Sequence, residues 1–338
     1  MNLIRSVLGD VDPSGLGRVN YHEHLFQVSP LLVGDELRDE SASTTEAQLL
    51  RTSGFDAMID ATPLGLGRDP EAVARISQST GLTVIATTGA HRDAHYSPDH
   101  WLRRLDARRR ADLFLTDLRE GMPRLDHHHH QARAQTPAGD PVRAGVLKAG
   151  IDYWSISAFE RETLVAVALA HAATGAPIMV HLEYCTAAHE VLDLLLTLGV
   201  QPSGVVLAHA DRDPNPALHL ELVARGAWLG YDGVARPRTR SDAELLDLTE
   251  AVIAGGGLQH ILIGGDVARR SRYIAYGGMP GLAYLGTRYL PALRARIGQG
   301  PVDTILRENA ARFLTWTPGQ SGRLLPSQPD EPSVGRDQ

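Results

Sequence analysis

The chain of 338 residues is 43% hydrophobic and 22% charged, a globular composition with enough apolar material for one large core. A net charge of −7, a pI of about 6.1 and no long basic run exclude nucleic acid or an anionic membrane as the main partner. A single cysteine, Cys185, excludes an intramolecular disulfide; with no secretory signal pattern and no apolar stretch long enough to span a bilayer, a soluble cytoplasmic protein is expected.

In chain order, short apolar runs rich in β-branched residues predict strands at 18–22, 57–61, 83–88, 145–148, 177–181, 204–209, 228–231 and 260–264. Helical patterns fall between them at 70–79, 98–120, 159–174, 187–198, 216–224 and 242–254. Such alternation argues for a parallel sheet of βα units, and eight units close most simply as a single-domain (β/α)8 TIM barrel, class α/β. Residues 122–143, which include His127, His128, His129 and His130, lack apolar periodicity and read as a solvated loop insertion ahead of the fourth strand. Adventitious metal binding is the other reading of those four histidines. The barrel domain is assigned to 1–317, and 318–338, rich in Pro, Gly, Ser and charge, is predicted to be a mobile tail.

The predicted strands end in residues that carry chemistry. Tyr21-His22-Glu23-His24 closes the first, and residues two apart on a strand point to one side, so His22 and His24 can grip one metal ion. Lys148, His181 and His209 end three further strands, and Asp266 directly follows the last. In a barrel these ends converge on one mouth, where active sites sit. Each residue has a plainer explanation: a hydrogen-bonded core histidine, a helix N-cap for Asp266, a snorkelling lysine for Lys148. Five coincidences at five strand ends favour one metal site instead. Glu23 and Asp60 lie near the same mouth and are candidates to orient ligands.

The segment GRVNYHEHLF, the lone strand-end Lys148, the two spaced histidines and the final GGD resemble the phosphotriesterase family of the amidohydrolase superfamily. The likeness runs from VLGDVDPSGLG through DATPLGLGRD to YGGMPGLAYL and DTILRENAARFL. It implies a binuclear metal centre at the C-terminal face of the strands, with His22, His24 and Asp266 on one ion and His181 and His209 on the other. It further implies that Lys148 bridges both ions as an N-carboxylated carbamate. An ammonium cannot ligate a cation, whereas a carboxylated lysine is an anionic two-oxygen ligand. Zn2+ suits this set, with Mn2+, Co2+ or Fe2+ as alternatives. The resemblance also suggests a homodimer.

The implied chemistry is hydrolysis by a metal-bridging hydroxide, with Asp266 as the catalytic proton acceptor. Arg236 on the seventh-strand loop, and Arg270 and Tyr273 on the eighth, are expected to bind an anionic group, because those loops often form a phosphate site and guanidinium forks match phosphate or carboxylate. The matching Arg-x-x-Tyr pattern of the phosphorylated sugar lactonase branch points the same way; pairing of these arginines with acids such as Asp242 is the alternative. An anionic sugar lactone, phosphorylated or carboxylated, is therefore the expected substrate. Neutral lactones, organophosphate triesters and amides remain open, although the polar third-strand loop Thr88-Gly89-Ala90-His91-Arg92-Asp93 disfavours a greasy substrate. A metal-binding structural or sensor protein is the non-enzymatic alternative. Against it, a structural zinc site is a closed tetrahedron that needs neither a bridging carbamate nor an open position.

Overall fold

Eight parallel strands follow one another in chain order in a computed structural model that describes residues 3–127 and 132–316. A small antiparallel hairpin, β1 (Ile4–Ser6) and β2 (Gly9–Val11), precedes them. The eight are β3 (Val19–Glu23), β4 (Ala57–Asp60), β5 (Thr83–Gly89), β6 (Val146–Gly150), β7 (Ile178–His181), β8 (Val205–Ala208), β9 (Trp228–Tyr231) and β10 (Ile261–Ile263). Each pairs in parallel with the next. At the seam between β3 and β10 the Asp266 amide donates to the His22 carbonyl at 2.9 Å, so the barrel is nearly closed.

Side-chain alternation divides the core in two. Tyr21, Ile59, Ile85, Val146, Met179, Val206 and Leu262 cluster inside the barrel. Leu147, Ile178, Val180, Leu207 and Leu229 pack outward against the helices. The same period of two sets Lys148, two residues past Val146, and His181, two past Met179, toward the interior. On β3 the register shifts between Asn20 and Glu23, at the position of His22.

The helices are α1 (Glu40–Thr52), α2 (Pro70–Thr80), α3 (Ala107–Arg119), α4 (Ala158–Thr174), α5 (Ala188–Thr197), α6 (Pro216–Ala224), α7 (Asp242–Ala254), α8 (Leu290–Ile297), α9 (Gln299–Asp303) and α10 (Ala310–Leu314). Ser157 with Glu160 and Ser241 with Glu244 form capping boxes on α4 and α7, and Gly175 ends α4 in the left-handed region. The sequence pattern does not predict α1, whose first two turns are Ser/Thr-rich. The Asp39 cap and the burial of Ala47 and Leu50 hold it. The helix expected from residue 98 begins only at Ala107, because Asp106 accepts the Arg109 amide at 2.8 Å and residues Trp101–Arg104 make a separate 3-10 turn.

The hairpin and the last described turns, up to Trp316, cover the strand N-termini, away from the mouth. The Val7 amide donates to the Val84 carbonyl at 2.9 Å, and the Trp316 indole to the Gly145 carbonyl at 2.9 Å. The described residues of the insertion at 122–143 form a largely exposed loop with buried anchors: Met122, Ala134 and Val142, tied by amide bonds of 2.8 Å from Met122 to Val142 and 2.9 Å from Ala134 to Met122. Asp126 pairs with Arg68 Nε at 3.1 Å, and Arg68 also pairs with Asp117 at 2.9 Å. His128, His129 and His130, and the tail from 318 onward, lie outside the described residues. No helix among the described residues is long and apolar enough to cross a membrane.

Candidate active site

A cavity of about 300 Å³ opens at the C-terminal ends of the strands, lined by His22, His24, His181, His209 and Asp266. Two of these residues leave their strands in the left-handed region, His209 at φ 62° and Asp266 at φ 41°. Non-glycine residues rarely adopt that conformation, and it concentrates at functional sites. Here it accompanies the turn of the chain at the mouth, directly after β8 for His209 and three residues past β10 for Asp266.

The hydrogen bonds decide which nitrogen each imidazole offers. His22 Nδ1 lies 3.1 Å from Asp232 Oδ2, and His209 Nδ1 lies 2.6 Å from Asp232 Oδ1. His181 Nε2 lies 2.8 Å from Glu183 Oε1. A carboxylate accepts, so each of these nitrogens carries the proton. His24 Nδ1 lies 2.6 Å from Thr62 Oγ1, whose own proton goes to the Phe26 carbonyl at 2.8 Å, so His24 also donates. All four rings therefore turn an unprotonated nitrogen inward. His181 Nδ1 and His209 Nε2 are 2.8 Å apart, two acceptors facing each other, an arrangement that calls for a cation.

Burial reinforces that state. It pushes the His22 pKa down to about 4, with Lys148 adding to the effect, and lowers those of His24, His181 and His209. Neutral imidazole is the ligand form. Lys148 is fully buried, with Nζ 3.3 Å from His22 Nε2 and 3.2 Å from Met179 Sδ, and burial pushes its pKa down to about 8. Asp266 Oδ1 stands 3.8 Å from His22 Nε2 and 3.7 Å from His24 Nε2. Burial alone would raise the Asp266 pKa, but Arg236 and the histidines hold it well below the ordinary carboxylate range. His22, His24 and Asp266 form one group of convergent metal-ligating atoms, and His22, His209 and Asp232 another. The residues present thus fit a divalent metal centre.

Of the three residues of the expected anion clamp, one lines the cavity. Arg236 lines the cavity but spends Nη2 on the Asp266 carboxylate at 2.5 Å, not on Asp242. Arg270 is exposed and outside the lining. Tyr273 is fully buried, its hydroxyl donating to the His24 carbonyl, so it supports the His24 backbone and does not reach the cavity. In their place Arg240 and Arg269 line the wall, with Arg92 and Arg212 opposite Glu183.

Sequence reasoning passes over Asp232, Glu183 and Thr62. Asp232 carried the same signal as Asp266, a carboxylate directly after a barrel strand; Glu183 and Thr62 carried none. Glu23 accepts the Asn20 side-chain amide at 3.0 Å and the Val267 backbone amide at 2.9 Å, which braces the loop at Asp266. His91 accepts the Arg92 amide at Nδ1 at 2.8 Å, so its proton sits on Nε2. Cys185 is buried, with its thiol pKa pushed up to about 12 by burial, and offers no nucleophile.

A model of the phosphotriesterase family matches residues 2–314. The chain is 26% identical to a phospho-furanose lactonase of Mycoplasmopsis synoviae, over 92% of this chain and 91% of that one. It is 26% identical to an N-acetyltaurine hydrolase of Danio rerio, over 93% and 98%. It superposes with a TM-score of 0.78 and 28% identity on the phosphotriesterase homology protein of Escherichia coli, solved with phosphate in its active site, covering 90% of this chain and 100% of that one.

Proposed function

The chain belongs to the phosphotriesterase family and is a metal-dependent hydrolase, and from that premise we propose that it opens the lactone ring of a phosphorylated or carboxylated sugar. The observation that carries this reading is the cationic wall beside the ligand cluster: Arg236, Arg240 and Arg269 on the loops after β9 and β10. Arg240 and Arg269 make no ion pair among the described residues, and Arg236 Nε and Arg240 Nη1 are buried without a hydrogen-bond partner. Buried guanidinium donors of this kind match a planar or tetrahedral oxyanion. The phospho-furanose lactonases and the phosphate in the Escherichia coli structure agree with an anionic substrate arm.

His22, His24 and Asp266 would hold one ion and His181 and His209 the other, with Lys148 between them as a carbamate. The low pKa of the Lys148 amine favours its reaction with CO2, and the imidazole-rich donor set favours Zn2+. When bound, the ions supply Lewis acidity toward the carbonyl and acidify a water toward neutral pH. Asp266, with Oδ1 facing that centre and Oδ2 anchored by Arg236, is the carboxylate placed to take a proton and deliver it to the departing ring oxygen. His91, with its proton on Nε2, lines the same cavity and can donate to the substrate.

An amide is the second reading, because N-acetyltaurine, the substrate in the name of the Danio rerio relative, also carries an anionic end that the arginines would receive. Hydrolysis of a sugar γ-lactone with and without a terminal phosphate, beside N-acetyltaurine, separates the two. The lactonase reading expects a strong preference for the phosphorylated lactone, lost in Arg269→Ala and kept in Arg270→Ala. Turnover of N-acetyltaurine alone would transfer the assignment to amides, and no preference for an anion would remove the clamp.

A further inference from the structure

Asp232 is fully buried at the end of β9, and its two oxygens face different halves of the ligand cluster. Oδ2 takes His22 Nδ1, on the side of His24 and Asp266; Oδ1 takes His209 Nδ1, on the side of His181. Tyr21, inside the barrel, donates its hydroxyl to Oδ2 and fixes the carboxylate in place. The backbone amide of Asp232 itself donates to Asp211 Oδ1 at 3.2 Å, so the turn after β9 is held from below as well. No other carboxylate among the described residues hydrogen-bonds ligand histidines of both halves: Glu183 serves only His181, and the remaining ligand histidine, His24, is set by the Thr62 hydroxyl.

Resting on the metal-centre reading, we propose that Asp232 is a positioning residue that couples the two metal sites, setting the tautomer of one histidine in each so that both ions gain or lose affinity together. Each oxygen accepts one N–H, which leaves Nε2 of both rings free as the ligand atom. An asparagine at this position could accept from only one ring. Its amide group would face the N–H of the other, and that ring would have to reverse its proton and cover its own ligand atom.

The test is a titration of the metal-free protein with Zn2+, read by competition with a chromophoric chelator, which needs no substrate. The wild type should bind two ions. Asp232→Ala, which removes both acceptors, should weaken both binding events by about 10–100-fold, the usual cost of losing an outer partner of a metal ligand, whereas Asp232→Asn, which keeps one acceptor, should fall mainly on one event. Tyr21→Phe, which removes only the hydroxyl that steadies Asp232, should weaken both in the same direction by less. Glu183→Gln and Thr62→Val should each weaken one event and spare the other. Asp232→Ala or Tyr21→Phe lowering a single event, or neither, would overturn the coupling while leaving the metal centre intact; a wild type that binds no ion would instead overturn the centre itself. If Asp232→Ala does not fold, the Tyr21→Phe titration decides alone.

Discussion

At Asp266 one carboxylate serves two neighbours with different demands. Oδ2 is anchored by Arg236 at 2.5 Å, and Oδ1 faces His22 and His24. Asp266→Asn keeps the shape and one acceptor oxygen but removes the carboxylate proposed to take a proton. Metal content by elemental analysis should stay near two ions per chain, while kcat falls by about 100-fold or more, the range of general acid–base contributions. Near-normal turnover would remove Asp266 from proton transfer. At this scale the sequence is readable where the fold makes one residue do one thing: a polar side chain ending a barrel strand faces the mouth. It is unreadable where a partner decides. Asp232 follows Tyr231 in plain view, yet only the proximity of His22 and His209 gives it a role. Arg269, Arg270 and Tyr273 show the same limit, since a 3-10 turn over Arg270–Arg272 turns one arginine to the cavity, its neighbour to solvent and the tyrosine into the core.

Elements were legible in proportion to their regularity. The eight barrel strands carry dense apolar runs because both faces are buried, and their predicted and observed positions overlap throughout. The short hairpin β1–β2, α1, and the last helices α8 to α10 have no such pattern and are held by tertiary contacts. Arg68 is a case in point. It joins the loop after β4 to Asp117 on α3 and to Asp126 in the insertion, with all three side chains nearly inaccessible. Burial raises the Asp117 pKa, and Arg68 offsets that effect only in part. Arg68→Ala would strand two carboxylates, and breaking a buried ion pair from one side costs about 3–5 kcal/mol. A shift of the urea midpoint corresponding to less than about 1 kcal/mol would show that the insertion holds without this clamp.

For the whole molecule, buried neutral histidines set the acid limit of stability. His219, on α6 and outside the metal cluster, donates from Nε2 to the Ala210 carbonyl at 3.0 Å and accepts the Tyr231 hydroxyl at Nδ1, 2.6 Å away. Burial pushes its pKa down to about 4 from 6.5. Below pH 6.5 the unfolded chain therefore binds a proton that the folded one refuses, and stability falls as pH drops from about 6.5 to 4, by up to about 3 kcal/mol from this residue. His171 is lowered in the same direction. Urea unfolding across that window should show the decline, with a shallower slope in His219→Gln; a flat profile in the wild type would contradict it.

The seam of the barrel has a mechanical consequence. Strands β3 and β10 are the two free edges of a sheet, and the bond from the Asp266 amide to the His22 carbonyl is the backbone link drawn across them. His22 and His24 stand on one edge and Asp266 on the other, so an ion held by these three would work as a buckle on a hoop. Stripping the metal with a chelator should loosen the hoop at its clasp before its far side. Amide exchange should rise first in 19–24 and 261–266 and last in β6 and β7, and uniform acceleration around all eight strands would show that the ring needs no buckle.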